Sequence, residues 1–269
     1  MTLLAWASKL ARHRRIRRMP LPAASHTNEP PRRRAAYVPP TDAHSYSLPD
    51  LLVRIGRAAL DERQLDFLRD ASPRREAKVF YAGNLDILDA PTVSIVGTRE
   101  VSDAGWRRAS QLARDLVKAG VTVVSGLAKG VDTAALKSAM ENGGRVAAVI
   151  GTPLDKAYPA ENASLQQEIY SSHLLMTPFG VGERVFRSNF PTRNRVMAAI
   201  SDATAIIEAS DTSGTLHQAA ECVRLGRWLF IAKSVVDDPS LTWPARFLGQ
   251  PKVSVLSSTS DIISAIGQP

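Results

Sequence analysis

From Pro91 onward the chain alternates short, continuous apolar runs with longer amphipathic stretches. The runs are TVSIVG, VTVVSG, RVAAVIG, LLMTPF, TAIIEAS, WLFIA and VSVLSS, most of them rich in β-branched residues. Runs that stay apolar, instead of alternating with polar residues, mark strands covered on both faces. Between them, apolar positions follow a helical period over 103–119, 130–142, 162–172, 191–201, 214–226 and 259–266. Regular strand–helix alternation predicts an α/β, Rossmann-like doubly wound fold over 91–269, with a mostly parallel sheet and helices on both faces.

Upstream the pattern differs. Leu48, Leu51, Leu52, Ile55, Ala59, Leu60, Leu65, Phe67 and Leu68 keep a helical period, and Ser47 before Pro49-Asp50 reads as a helix start. KVFYAGNLDIL follows as a short strand and turn, so 47–90 is expected to be a short helical lead-in. Residues 1–46 hold the proline clusters MPLPAA, NEPPRRR and YVPPTD, which oppose helix and sheet alike. A disordered basic Pro/Arg-rich tail is the expectation there, with room for a short amphipathic helix near Leu3–Ile16. The Arg-rich, acid-free opening also fits a transit peptide.

Charge sharpens that division. Residues 1–46 carry nine Lys/Arg against two acids, leaving 25 against 24 in residues 47–269. Of the formal net charge of +8, +7 therefore belongs to the tail, and the sum says little about the folded part. The single cysteine, Cys222, excludes an internal disulfide, and its surroundings in AAECV predict a buried apolar filler. The five histidines lack paired metal-ligand spacing, and no apolar run has the length of a membrane span. No metal, no cofactor and no membrane are expected, and the location expected is cytoplasmic.

In such a sheet, ligands bind beyond the carboxyl ends of the strands. The candidate chemistry therefore lies in the loops. After SIV comes Gly97-Thr98-Arg99, with Ser102 and Asp103 able to cap the next helix. Arg99 is a cation at the positive end of a helix dipole, a poor position without an anion. The turn Ser125-Gly126-Leu127-Ala128-Lys129-Gly130 can expose successive N–H groups to a phosphate, although its glycines also serve where φ is unusual. It is neither GxGxxG nor a P-loop. Asp155, Lys156 and Tyr158 follow the third run, and Ser213-Gly214-Thr215 opens a later helix. FPTRNR, residues 190–195, sets Phe190 beside Arg193, Asn194 and Arg195. A cationic groove with an aromatic platform is what single-stranded nucleic acid requires. Phe190 is also consistent with a core position, and the Asn194 amide with bracing neighbouring loops.

Taken in order, KVFYAGNLDIL, SIVGTREVS, VVSGLAKGVDTAA, GTPLDKAYPAEN, NFPTRNRVMAAIS and IIEASDTSGTLHQAAECVRLGRWLF resemble the DprA/Smf family of DNA-processing proteins. The resemblance spans about Val79 to Ile231. It implies single-stranded DNA bound on a Rossmann-like domain, loading of a RecA-type recombinase, a homodimer and no catalysis. By residue it implies a DNA-backbone role for Arg99, Arg193 and Arg195, base stacking on Phe190, and phosphate contacts from the SGLAKG and TSGT loops. The chain departs from the family at Leu136, where a histidine is common, and after WLFIA. A reduced helical N-terminal part and no C-terminal winged helix are expected. The alternative is a nucleotide-binding sensor or a LOG-type nucleotide N-glycosidase-like protein. Against hydrolysis, aligning SDTSGTLHQ on PGGxGTxxE puts Gln218 at the acid position, where an amide cannot act as a base. Glu208 and Asp155 remain as spare carboxylates.

Overall fold

A computed structural model describes residues 37–57 and 77–267 of the chain. The expected helix near Leu3–Ile16 and the stretch 58–76 of the lead-in lie outside the described residues. Nine strands form one sheet in the order β1-β2-β6-β5-β4-β3-β7-β8-β9 among the described residues. They are β1 (His44–Ser47), β2 (Lys78–Gly83), β3 (Thr92–Val96), β4 (Thr122–Ser125), β5 (Val146–Val149), β6 (Leu174–Thr177), β7 (Ala203–Ile206), β8 (Trp228–Ala232) and β9 (Val253–Leu256). Only β1–β2 and β2–β6 pair antiparallel; the six other pairings are parallel. The fold is thus the α/β, mostly parallel arrangement that the apolar runs predict. Strands β3 to β7 are buried at every position, as strands covered on both faces must be.

Helices complete the layers. One face carries α2 (Asp103–Lys118), α3 (Val131–Glu141), α4 (Ala163–Ser172) and α8 (Thr259–Ile266), packed over Val93, Ile95, Val123, Ala148 and Phe230. The other carries α1 (Leu48–Arg54), α5 (Asn189–Ile200) and α6 (Thr215–Arg224), packed over Val96, Val124, Val149 and Ile231. A single turn, α7 (Lys233–Val236), follows β8. Cys222 on α6 is fully buried, and its Sγ lies 3.0 Å from Thr204 Oγ1. Burial pushes its thiol up to about 12, which leaves it unreactive.

The described part of the upstream segment holds strands as well as helix. The first turn of α1 is built as Ser47 and Pro49 predict, with the Ser47 hydroxyl accepting from Asp50 N–H. Yet β1 and β2 flank it and extend the main sheet, so the described residues of 47–90 join the sheet that follows. Described residues before position 47 are also tied to the domain. The Tyr37 hydroxyl donates to Leu154 O at 2.8 Å and accepts from Gln166 Nε2 at 2.8 Å, while Tyr170 donates to Val38 O. Arg57 closes the segment with a two-point ion pair on Asp202, at 2.8 and 2.6 Å. The second oxygen of Asp202 also accepts from Thr92 N–H, which ties this arginine to the start of β3.

Candidate functional site

Strand order reverses around β3, which has β4 on one side and β7 on the other. A crevice opens beyond the carboxyl ends of the strands at such a point. Here it measures about 520 Å³ and is walled by the loops after β3, β4 and β7 and by the first turns of α5 and α6. Gly97, Thr98, Arg99, Ala128, Phe190, Arg193, Asn194, Ser213, Gly214 and Thr215 all line it. Gly126 and Lys129 line a smaller recess beside it, together with Arg99, Tyr158 and Phe190.

The aromatic ring is placed by its own helix. Phe190 begins α5 half-buried, and a Cβ at Gly151 would lie 2.7 Å from its Cδ1, so only glycine lets the ring settle there. The Arg99 guanidinium stands 5.4 Å from the ring centroid on the exposed loop after β3, within cation–π range. Tyr158 sits 5.5 Å away, tilted at 51° and 48% exposed. Two rings and one cation therefore meet at the mouth of the cleft. Opposite them, Asn194 Nδ2 donates to Gly214 O at 3.3 Å and joins α5 to the Ser213-Gly214-Thr215 turn.

Arg193 behaves differently from Arg99. It is 5% exposed, and its Nη1 donates to the carbonyls of Gly126 and Val149. It holds the ends of β4 and β5 from within. Burial lowers its guanidinium to about 10, against the pull of nearby Asp132. Asp132 is buried too, and desolvation raises its carboxyl although the Arg193 charge opposes this. Its Oδ2 accepts from Gly126 N–H at 3.1 Å and Ala128 N–H at 3.3 Å. Those two amides, expected to face a phosphate, are thus satisfied inside the loop. Asp132 was not among the expected site residues. Its signal is the acid in GVDTAA, an isolated charge in an otherwise small and apolar helix start.

Several expected residues serve the framework and do not line the cleft. The Ser125 hydroxyl is buried and donates to Ile95 O at 2.7 Å. Ser102 caps α2 by accepting from Gly105 N–H, and donates to Glu208 Oε2 at 2.7 Å. Glu208 is thereby committed to holding the α2 start. Gly130 takes φ +77°, and a Cβ there would run into the carbonyl oxygens of Thr98 and Arg99. Asp155 and Lys156 do not line the cleft, and Lys156 Nζ donates to Glu183 O at 2.7 Å. Arg195 is also off the cleft wall. Two residues after Arg193 on a helix it points to another face. Gln218 does line the cleft, fully buried, with its Nε2 3.2 Å from Thr204 Oγ1.

The family model for DNA recombination-mediator protein A matches residues 65–267. DNA processing protein DprA from Streptococcus pneumoniae is 37% identical over 187 residues, which cover 69% of this chain and 65% of that protein. Protein Smf from Synechocystis is 40% identical over 156 residues, 56% of this chain and 39% of that protein. The chain thus spans less than two thirds of the length of either curated relative. The X-ray structure of the Streptococcus pneumoniae protein superposes with a TM-score of 0.67 at 33% identity, over 83% of this chain and 74% of that one. DNA processing protein A from Helicobacter pylori, described for its single-stranded DNA binding mode, superposes at 0.63 with 25% identity, over 75% and 90%. Because the matched residues take in every loop that walls the cleft, the chain belongs to the DNA recombination-mediator protein A family.

Proposed function

We propose that the cleft holds single-stranded DNA and performs no chemistry on it. The observation that carries this reading is the cluster at its mouth: Phe190 with Arg99 5.4 Å from its centroid and Tyr158 5.5 Å away. Base faces need rings and the backbone needs cations, and a sequence-independent strand binder supplies both. The DNA-binding mode described for the Helicobacter pylori relative supports the same ligand. Arg99 meets a phosphate as it swings off the ring, and a base takes its place on Phe190. Lys129 at the adjoining recess supplies a second cation, while Asn194, Ser213, Gly214 and Thr215 form the opposite wall. Arg193 acts from behind by fixing the loops after β4 and β5.

The absence of catalysis in this reading rests on two side chains. Gln218, at the position of the hydrolases' acid, is an amide buried against Thr204. Glu208 is engaged by Ser102 through both of its oxygens. Protection of incoming DNA, delivery to a RecA-type recombinase during transformation, and action as a homodimer belong to the same proposal, supported by family membership.

The test is an anisotropy titration of a labelled single-stranded oligonucleotide over a salt series. For single strands, the slope of log K against log salt changes by about 0.7 per phosphate contact. Arg99→Ala is expected to weaken binding and make the slope shallower by about 0.7. An unchanged slope would remove Arg99 from the DNA contact, and no binding by the unaltered chain would overturn the reading itself.

A further inference from the structure

A second opening on the described surface is larger than the cleft. A groove of about 870 Å³ runs between α2, α8 and the carboxyl ends of β7, β8 and β9. Its floor is apolar, built from Leu112, Ile207 and Leu256. Trp106, on the first turns of α2, lines it while 40% exposed, a large aromatic surface left to water.

The charge of this groove has one sign. Arg107, Arg108, Arg114 and Lys233 line it against a single acid, Asp115. Asp115 already accepts from Gln111 and pairs with Lys118. Lys233 pairs with Asp237, and Arg114 donates to Gln111. Arg107 and Arg108 are exposed and have no partner among the described residues. A ring, two open cations and an apolar floor fit a nucleotide chain, and the volume lies in the range of ligand sites.

Continuity with the cleft identifies whose nucleotides these are. The loop after β3 gives Arg99 to the cleft and leads within seven residues to Trp106 in the groove. The loop after β7 gives Ile207 to the groove and Ser210 to the cleft. Both openings therefore lie on one edge of the sheet and share two walls. We propose that this groove is a second tract for the same single-stranded DNA, with Trp106 stacked on a base and Arg107 and Arg108 on the adjoining phosphates. The inference rests on the DNA reading of the first cleft and extends it.

Its test uses the full chain with two labelled strands, of about 4 and about 16 nucleotides, so that only the longer one spans both openings. Trp106→Ala is expected to weaken the longer strand on the order of tenfold and leave the shorter one unchanged. Arg107→Ala with Arg108→Ala, both exposed and safe for folding, is expected to make the salt slope shallower by about 1.4 for the longer strand alone. Phe190→Ala, by contrast, weakens both. Wild-type affinity of both variants for the longer strand would overturn the second tract while leaving the first cleft intact. Equal losses on both strands would overturn it too, since the tract would not be separate. A free mononucleotide that raises Tm through Trp106, with DNA binding unaffected, would replace the strand by a small ligand. Failure of the unaltered chain to bind either strand would overturn both readings together.

Discussion

At the scale of single residues, the site depends on contacts that leave no space. Phe190 lies where it does because position 151 has no side chain. Gly151→Ala is therefore expected to lift the ring from its seat and weaken DNA on the order of tenfold, the worth of about one stacked base, while the far-UV spectrum stays native. Unaltered affinity in the anisotropy titration would show that the ring does not stack. FPTRNR announces a ring and two cations, but it does not announce which arginine faces the ligand. That depends on the phase of α5 against β4 and β5, whose carbonyls capture Arg193 from residues 67 and 44 positions away. The same distance effect hides Asp132, whose partners Gly126 and Ala128 are near in sequence but whose burial is decided by the whole sheet. Arg99 is readable because its oddity is local: a cation before a helix start.

At the scale of elements, strands covered on both faces are the most legible, since burial demands an unbroken apolar run. The helices between them are found within a few residues, and the caps Ser47 and Ser102 stand where their side chains predict. β1 is not legible. HSYS is an edge strand with two exposed and two half-buried residues, so it carries neither a run nor an apolar alternation. Its place comes from partners far along the chain, among them the contacts of Tyr37 with Leu154 and Gln166. Burial pushes the Tyr37 phenol up to about 12 from its ordinary 10.0. The folded state thus favours the protonated phenol. Its contribution to stability is whole below pH 10 and is lost as pH rises toward 12. Tyr37→Phe is expected to lower Tm near neutrality through the lost hydrogen bonds, and to narrow that deficit between pH 10 and 12. A deficit of constant size across that window would show that the phenol does not titrate with folding.

At the scale of the whole molecule, the charge is divided unevenly. Residues 47–269 are close to neutral, with 25 Lys/Arg against 24 acids, while the first 46 residues hold nine Lys/Arg and two acids. Among the described residues no helix is long and apolar enough to cross a membrane. We propose that the N-terminal cations add to the phosphate contacts of the cleft. Replacing Arg14, Arg15, Arg17 and Arg18 with serine is expected to make the salt slope shallower by up to about 2.8, with Tm unchanged. A slope equal to that of the unaltered chain would assign DNA binding to the sheet edge alone. The most direct test of the account is photo-crosslinking of the full chain to a single-stranded oligonucleotide carrying 5-bromodeoxyuridine, followed by mapping of the joined peptide. Joining at Phe190 or Tyr158, lost in Phe190→Ala, is the predicted result. Crosslinks that avoid the cleft and survive that substitution would contradict the claim that the strand lies there.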